Sequence, residues 1–419
     1  MPSNGNILPE LRARGLISDV TDEEALGKRL AEGPITFYCG YDPTATSFHA
    51  GNLVPMSVAA RLARAGHRYV ALVGGATGRV GDPSGKSSER KLLDAETLER
   101  NVAALAAQLR RFVSADAVMV NNYDWFQSIG FLDFLRDVGK HMTVNYMLAK
   151  ESVRARLEDR EQGISFTEFS YMLLQGYDFV HLARQMGCEL QIGGADQWGN
   201  ITCGTELNRK MGGEKQLFGL VAPLLLTSAG VKFGKSEGQN VWLDGAMTSP
   251  YKLYQFWLNS DDGDVERYLK MFTFVPLDEI GEIMRAHEPD RARRVAQRRL
   301  AEEVTRWVHG DAATDEAIAA TQALHSGSIE AALAHADAAQ THLVPRPSLP
   351  QPLIEICLAA GLVTSKSEAR RLIEQGGLYL NDVKVEGVMR PLIADDFGDG
   401  AALLLRAGKK KIVVVKLTG

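Results

Sequence analysis

The chain has 419 residues, 45% hydrophobic and 24% charged, an ordinary composition for a soluble globular protein of about two to four domains. Its 47 Lys and Arg against 52 Asp and Glu leave a net charge of −5, which argues against a polycationic, histone-like nucleic-acid binder. Cys39, Cys188, Cys203 and Cys357 stand apart with no C-x-x-C pair, no apolar run reaches about 18 residues, and Met1 to Leu16 lacks a signal-peptide core, so a reduced, cytoplasmic enzyme with no membrane span is expected.

The first 245 residues alternate strand-like and helical stretches. Ile35 to Cys39 is β-rich and ends at Gly40; Leu53 to Ala65 has helical spacing and stops at Gly66. Tyr69 to Val73 ends at Gly74-Gly75, and Glu189 to Ile192 ends at Gly193-Gly194. Strand, glycine turn, helix and strand is the grammar of a parallel α/β sheet, which binds ligands at the carboxyl ends of its strands. From about Ser249 to Ala339 the pattern is helical, most clearly over Arg291 to Val308. Pro345 to Pro352 holds four prolines in eight residues and is read as a stiff linker. In the tail beyond it, Ser367 to Gln375 reads as a helix, and Leu378 to Leu380, Asn381-Asp382 and Val383 to Val385 as strand, turn, strand. The expected domains are 1–245, 246–344 and 353–419, joined by the linker 345–352.

Four segments carry polar chemistry. Gly81-Asp82-Pro83-Ser84-Gly85-Lys86-Ser87 looks like a phosphate loop, but it has three residues between its glycines where a P-loop has four. Tyr38 to Asn52 follows a strand and precedes a helix. That helix start would offer backbone N–H groups, close approach at Gly51, and a phosphate donor in His49. On the helix Thr167 to Met186, Tyr171, Gln175 and Asp178 share one face among apolar neighbours, a pattern that needs polar partners or a ligand. Lys232-Phe233-Gly234-Lys235-Ser236 places two lysines in a Gly- and Ser-rich segment suited to phosphate. Taken singly, these segments also read as a capped turn, a structural hydrogen-bond network and a basic surface turn. No metal-ligating cluster is read in the sequence.

Together the segments resemble the class I aminoacyl-tRNA synthetases, His49-Ala50-Gly51-Asn52 matching the HIGH element and Lys232 to Ser236 the KMSKS element. The match is closer to the bacterial tyrosyl-tRNA synthetase family, through Tyr38 to Thr44, Gly81 to Lys86, Asn121 to Trp125, Phe166 to Gln175 and Gln191 to Asn200, in that order. The resemblance implies a Rossmann-like parallel-sheet catalytic domain, an α-helical anticodon-side domain and a small α+β RNA-binding domain. It also implies a two-step reaction: L-tyrosine and ATP form tyrosyl-adenylate, and the tyrosyl group passes to the terminal adenosine of the tRNA for tyrosine.

By the same resemblance, Tyr38 and Asp178 would bond the substrate phenol, with Asn122 and Gln191 also on the tyrosine side. Tyr171, Gln175 and Asp82 would hold the ammonium group. Cys39, Gly40, Asp42, Gly51, Asn52, Gly194, Asp196 and Gln197 would line the ATP side. Thr44, His49, Lys86, Arg90, Lys232 and Lys235 would meet the phosphates, with Mg²⁺ entering on ATP and no dedicated protein site. The carboxylate is itself the nucleophile, so catalysis would rest on positioning and placed charge. The HIGH element ends here in Asn52, which can donate a hydrogen bond but carries no charge.

The tail resembles a small ribosomal-type RNA-binding domain, with Lys366, Arg370 and Arg371 as phosphate contacts and Lys409-Lys410-Lys411 as a second basic cluster. Residues 351–419 hold 10 basic against 8 acidic side chains, +2, so the rest carries −7. Asn121 to Arg156, with Trp125, Phe126, Phe131, Phe134, Leu135, Met142, Tyr146 and Met147, is long and apolar, and in the family it forms the interface of a homodimer. A tryptophan-specific relative and a non-catalytic RNA-binding protein of the same fold are the alternatives. Asp178 and Tyr38 favour a phenol over an indole, and the intact phosphate-side residues favour catalysis.

Overall fold

The computed structural model describes residues 5–84, 93–158, 163–236, 239–325, 341–398, 401–408 and 411–418, with backbone alone for Lys235, Ser236 and His325. Chain contacts divide it into two compact units, 1–244 with 261–296, and 245–260 with 297–419. The helical stretch after Ser249 is thus shared between the units.

The first unit is built on a six-stranded sheet. Its strands are β1 (Asp19–Val20), β2 (Thr36–Tyr41), β3 (Arg68–Val73), β4 (Val118–Asn121), β5 (Cys188–Gly194) and β6 (Phe218–Ala222), in the order β1-β6-β5-β2-β3-β4. All neighbours are parallel except the short edge strand β1, which runs antiparallel to β6. From β2 the chain steps through β3 to β4, then returns to the other side of β2 as β5. The order therefore reverses between β2 and β5, the place where open α/β sheets bind ligands. Tyr38 of β2 pairs in register with Gln191 of β5 across this switch.

Helices Leu53–Arg64, Ala95–Phe112, Phe166–Met186 and Trp198–Lys210 follow or connect these strands. Ser165 caps the third, accepting from the Glu168 amide, and Gly187 ends it in a left-handed conformation. The third and fourth helices approach closely where small residues face each other: a Cβ on Gly204 would stand 3.0 Å from the Phe179 ring, and one on Gly176 3.3 Å from the Cys203 sulfur. This contact seats the Phe166–Met186 helix, whose polar face carries Tyr171 and Asp178. Between β4 and that helix, the segment expected to form a dimer insertion folds as short helices, among them Phe131–Asp137, Val144–Leu148 and Glu151–Glu158. Arg156 and Glu168, both fully buried, close its base with paired bonds of 2.9 and 2.8 Å.

The expected helix over Arg291 to Val308 begins later, at Val295–His309. Glu288–Arg293 is instead a distorted 3₁₀ segment containing Pro289, and Arg294 takes a left-handed φ of 52°, so the chain breaks before the helix starts.

The tail has its own apolar core, including Leu353, Cys357, Leu378, Leu403 and Val415. Its five-stranded sheet contains the hairpin Leu378–Leu380 and Val383–Lys384, turned by Asn381 and Asp382 with φ of 49° and 62°, the conformation of a tight two-residue hairpin turn. The proline-rich stretch is not a free linker. Thr341–Pro345 forms a parallel edge strand beside Lys411–Thr418, and Gln351–Pro352 pairs with Pro391–Leu392. Proline lacks an N–H, but an edge strand or a two-residue pair tolerates that loss.

Candidate active site

A cleft of about 750 Å³ opens at the carboxyl ends of β2 and β5, a size that suits a small organic ligand. Its inner end is lined by Tyr38, Tyr171, Gln175, Asp178 and Gln191, and its side by Asp82. Cys39, Gly40, Asp42, Gly51, Asn52, Gly194, Asp196 and Gln197 line the part toward the strand ends, and Thr44, His49 and Lys232 the rim.

At the inner end Asp178 is buried and held from both sides. Asn122 Nδ2 donates to one carboxylate oxygen and Trp125 Nε1 to the other, each at 3.0 Å. Burial pushes the Asp178 carboxyl well above its ordinary range, while these two donors pull it back toward the anion. The Tyr38 ring is wedged against Phe179 at 5.2 Å. Its hydroxyl is buried without a hydrogen-bond partner among the described residues, as is Gln191 Oε1. Burial, followed by the nearby Asp178, raises the Tyr38 phenol well above its usual value, so it stays a donor. Two unmet polar atoms beside a fixed carboxylate form a receptor for a polar ligand group, since leaving them unpaired costs on the order of 1–3 kcal/mol each.

A hydrogen-bonded chain links this end to Asp42 near the strand ends. Asn122 Nδ2 donates to Thr77 Oγ1 at 3.0 Å, Thr77 donates to Asp42 Oδ1 at 2.8 Å, and Tyr171 donates to Asp42 Oδ2 at 3.0 Å. Backbone amides fix both asparagines: Gly75 N donates to Asn121 Oδ1 at 3.1 Å, and Ala76 N to Asn122 Oδ1 at 2.7 Å.

On the opposite wall Asp82 accepts from the Ser84 amide at 2.9 Å, from Gln197 Nε2 at 2.7 Å and from Asn200 Nδ2 at 3.4 Å. The glycine-rich segment thus presents a buried carboxylate, in keeping with its failed P-loop spacing. Burial raises the Asp82 carboxyl despite these donors, so a bound cation would be favoured beside it.

The His49 turn differs from expectation. His49 Nδ1 accepts from Gly51 N at 3.1 Å, and Asn52 Oδ1 accepts from His49 N at 3.0 Å, a reciprocal cap. Ala50 N is taken by Val241 O at 2.7 Å and Asn52 N by His49 O at 2.8 Å. The amides expected to be open for a ligand are therefore already satisfied, by the turn itself and by Val241. With Nδ1 accepting, the ring proton sits on Nε2. Asn52 serves as the partner of that cap.

Lys86 and Arg90 lie outside the described residues, as does the Lys235 side chain. Lys232 is exposed at the rim. In the tail, Lys366, Arg370 and Arg371 share the exposed side of the Lys366–Glu374 helix, where Lys366 is engaged by Glu355 at 2.7 Å. Lys409 and Lys410 lie outside the described residues, and Lys411 lies within them.

The sequence analysis assigns no role to Thr77 or Asn200, and has Trp125 only in a family-like segment and an apolar stretch. Thr77 was findable, because it follows the Gly74-Gly75 turn at the end of β3. Trp125 bonding to Asp178 had no local signal.

Comparison with known proteins gives the class first. A family model described as tRNA synthetases class I (W and Y) matches residues 30–326, and the sheet with its switch-point cleft is the fold of that class. A second model, a tyrosine–tRNA ligase C-terminal domain, matches residues 337–415. A tyrosine–tRNA ligase of Laribacter hongkongensis is 49% identical over 417 residues, covering 97% of this chain and 98% of its own. That of Geobacillus stearothermophilus is 48% identical over 421 residues, covering 98% and 99%. A truncated mitochondrial tyrosyl-tRNA synthetase of Aspergillus nidulans superposes with a TM-score of 0.68 at 34% identity, covering 75% of this chain and 93% of that one. This chain belongs to the tyrosine–tRNA ligase family.

Proposed function

We propose that the chain activates L-tyrosine with ATP and transfers the tyrosyl group to the terminal adenosine of its tRNA. The observation that carries the choice of amino acid is the inner end of the cleft, where the buried Tyr38 hydroxyl stands beside the doubly anchored Asp178. A phenol satisfies both: its proton goes to Asp178 and its oxygen accepts from Tyr38. Asp82, Tyr171 and Gln175 bind the ammonium group, and Gln191 packs beside the ring. This anchoring aims the substrate carboxylate at the α-phosphate.

Asp42, Cys39, Gly40, Gly51, Asn52, Gly194, Asp196 and Gln197 form the nucleotide wall. Thr44, His49 through Nε2, Lys86, Arg90, Lys232 and Lys235 oppose the charge that grows on the phosphates. The attacking carboxylate needs no base, so rate comes from alignment and fixed charge. Mg²⁺ arrives with ATP, held by its phosphates and water. The tail, through Arg370, Arg371 and Lys366, binds tRNA.

The active form is a homodimer. Phe131, Leu132 and Leu135 on one short helix, and Val144 and Phe166 further along the chain, are exposed apolar side chains of the kind an interface buries. Light scattering at micromolar protein should give twice the chain mass; a monomer mass would remove this assignment. No helix among the described residues is long and apolar enough to cross a membrane. The four cysteines are buried and unpaired, which suits a reducing compartment, and we assign the enzyme to the cytoplasm.

The deciding experiment is ATP–pyrophosphate exchange with each of the twenty amino acids. Exchange with tyrosine alone is expected. Exchange with tryptophan alone, or with none, would overturn the reading.

A further inference from the structure

We propose that Asp264 and Arg267, which lie outside the cleft, clamp the outgoing strand and turn of the lysine-bearing hairpin and so position Lys232 at the phosphates. The inference rests on the reading of Lys232 as a phosphate-binding group.

The hairpin has little to hold it by itself. Phe233 N donates to Leu225 O at 3.0 Å and Thr227 N to Val231 O at 2.8 Å, and a bridge joins Leu226 to Lys232. Leu225 and Phe233 are buried at one end, but Leu226 and Val231 are 44% and 58% exposed, so apolar burial does not fasten the half of the ribbon nearer its turn. An isolated two-stranded hairpin is marginal in water.

Its fastening comes from the helix Asp262–Phe272. Asp264, 3% exposed, accepts from the Ser228 amide at 2.9 Å. Arg267 donates to Leu226 O at 2.7 Å and to Asp264 Oδ1 at 2.6 Å. One ion pair thus grips the outgoing strand at Leu226 and the turn at Ser228 with charge-assisted bonds, about twice as strong as neutral ones. On the return strand, the Phe233 ring beside Lys232 stacks on Phe272 at 5.3 Å and meets Tyr268 at 5.1 Å.

The same helix is tied at its other end to the His49 side of the cleft. Ser57 and Arg61, on the Leu53–Arg64 helix that the His49 turn begins, donate to Met271 O and Thr273 O. Arg14 donates to Lys270 O at 3.1 Å and Val275 O at 3.0 Å. The Asp262–Phe272 helix is therefore a strut between the two phosphate-side elements, and Asp264 with Arg267 is its grip on the lysine side.

The test combines Asp264→Ala, Asp264→Asn, Arg267→Ala and Lys232→Ala in the full-length chain. Asp264→Ala should lower the maximal rate of pyrophosphate exchange roughly tenfold or more, with the KM for tyrosine within about twofold, because an ångström of misplacement can cost on the order of 10² in rate. Hydrogen exchange of the amides from Thr227 to Phe233 should quicken about tenfold or more, as expected when a local opening loses its restraint. Asp264→Asn keeps an acceptor for the Ser228 amide and should recover most of the rate. In a Lys232→Ala background, adding Asp264→Ala should cost less than about twofold, since coupled residues are not additive.

Equal slowing in both backgrounds, or unchanged amide exchange in that segment, overturns the clamp. Lys232→Ala at full rate would instead discard the phosphate-binding reading of that lysine. Arg267 is half-exposed, and Arg267→Ala carries the same comparison if Asp264→Ala fails to fold.

Discussion

Gly234 lies directly over the backbone of Gly51: a Cβ built on Gly234 would stand 2.7 Å from the Gly51 nitrogen, and Gly234 itself holds φ of +95°. From the other side, a Cβ on Gly51 would meet the His49 ring at 2.9 Å and Phe233 O at 3.5 Å. The His49 and Lys232 motifs, far apart in sequence, close on each other backbone to backbone. Only residues without side chains allow this approach.

Gly234→Ala should therefore be costly twice, through the contact and through its left-handed φ. We expect pyrophosphate exchange to fall by about an order of magnitude or more and stability to fall by about 1 kcal/mol or more. Exchange assays and urea unfolding measure the two separately. A variant matching the wild type in both would show that the motifs need not touch.

Tyr38→Phe removes the only unpartnered donor beside Asp178 among the described residues while keeping the ring against Phe179. The preference for tyrosine over phenylalanine, read as the ratio of kcat/KM in exchange, should drop roughly tenfold, the worth of one net hydrogen bond. An unchanged ratio would place phenol recognition elsewhere.

Truncation tests the tail, and the structure decides where to cut. A chain ending at residue 350 would keep Thr341–Pro345 but lose its partner strand Lys411–Thr418, leaving an orphan edge. Removal of residues 341–419 takes out the whole sheet. It should lower the charging of tRNA by tenfold or more, on the order of the loss of several phosphate contacts, and leave pyrophosphate exchange near wild type. Equal loss of both would contradict a separate RNA-binding role.

His67 predicts a pH effect on stability. Its Nδ1 accepts from Ile35 N at 3.2 Å, just before β2, and its Nε2 is buried without a partner among the described residues. Burial, then the charge of Arg29, lowers its pKa in the native state. Its contribution is therefore present above the unfolded value of about 6.5 and is lost as pH falls through the lower native value. Urea midpoints should fall between about pH 7.5 and 5 in the wild type, and by less in His67→Gln. Equal slopes would exclude His67 as the cause.

The sequence alone determined the strand–helix alternation of the sheet, the polar face of the Phe166–Met186 helix and the Asn381-Asp382 turn, because periodicity and turn chemistry are local. It also carried the identity of the motifs at His49 and Lys232. Three-dimensional packing decided what those residues do to each other. It turned the His49 amides inward, because Asn52 and Val241 supply their partners. It drew the prolines near residue 345 into the tail sheet, because an edge strand spares their missing N–H. It brought Trp125 to Asp178, and Asp264 to Ser228, across 53 and 36 positions of chain. Hydrogen bonds over such separations leave no local pattern, since they depend on which faces the sheet and helices bury together.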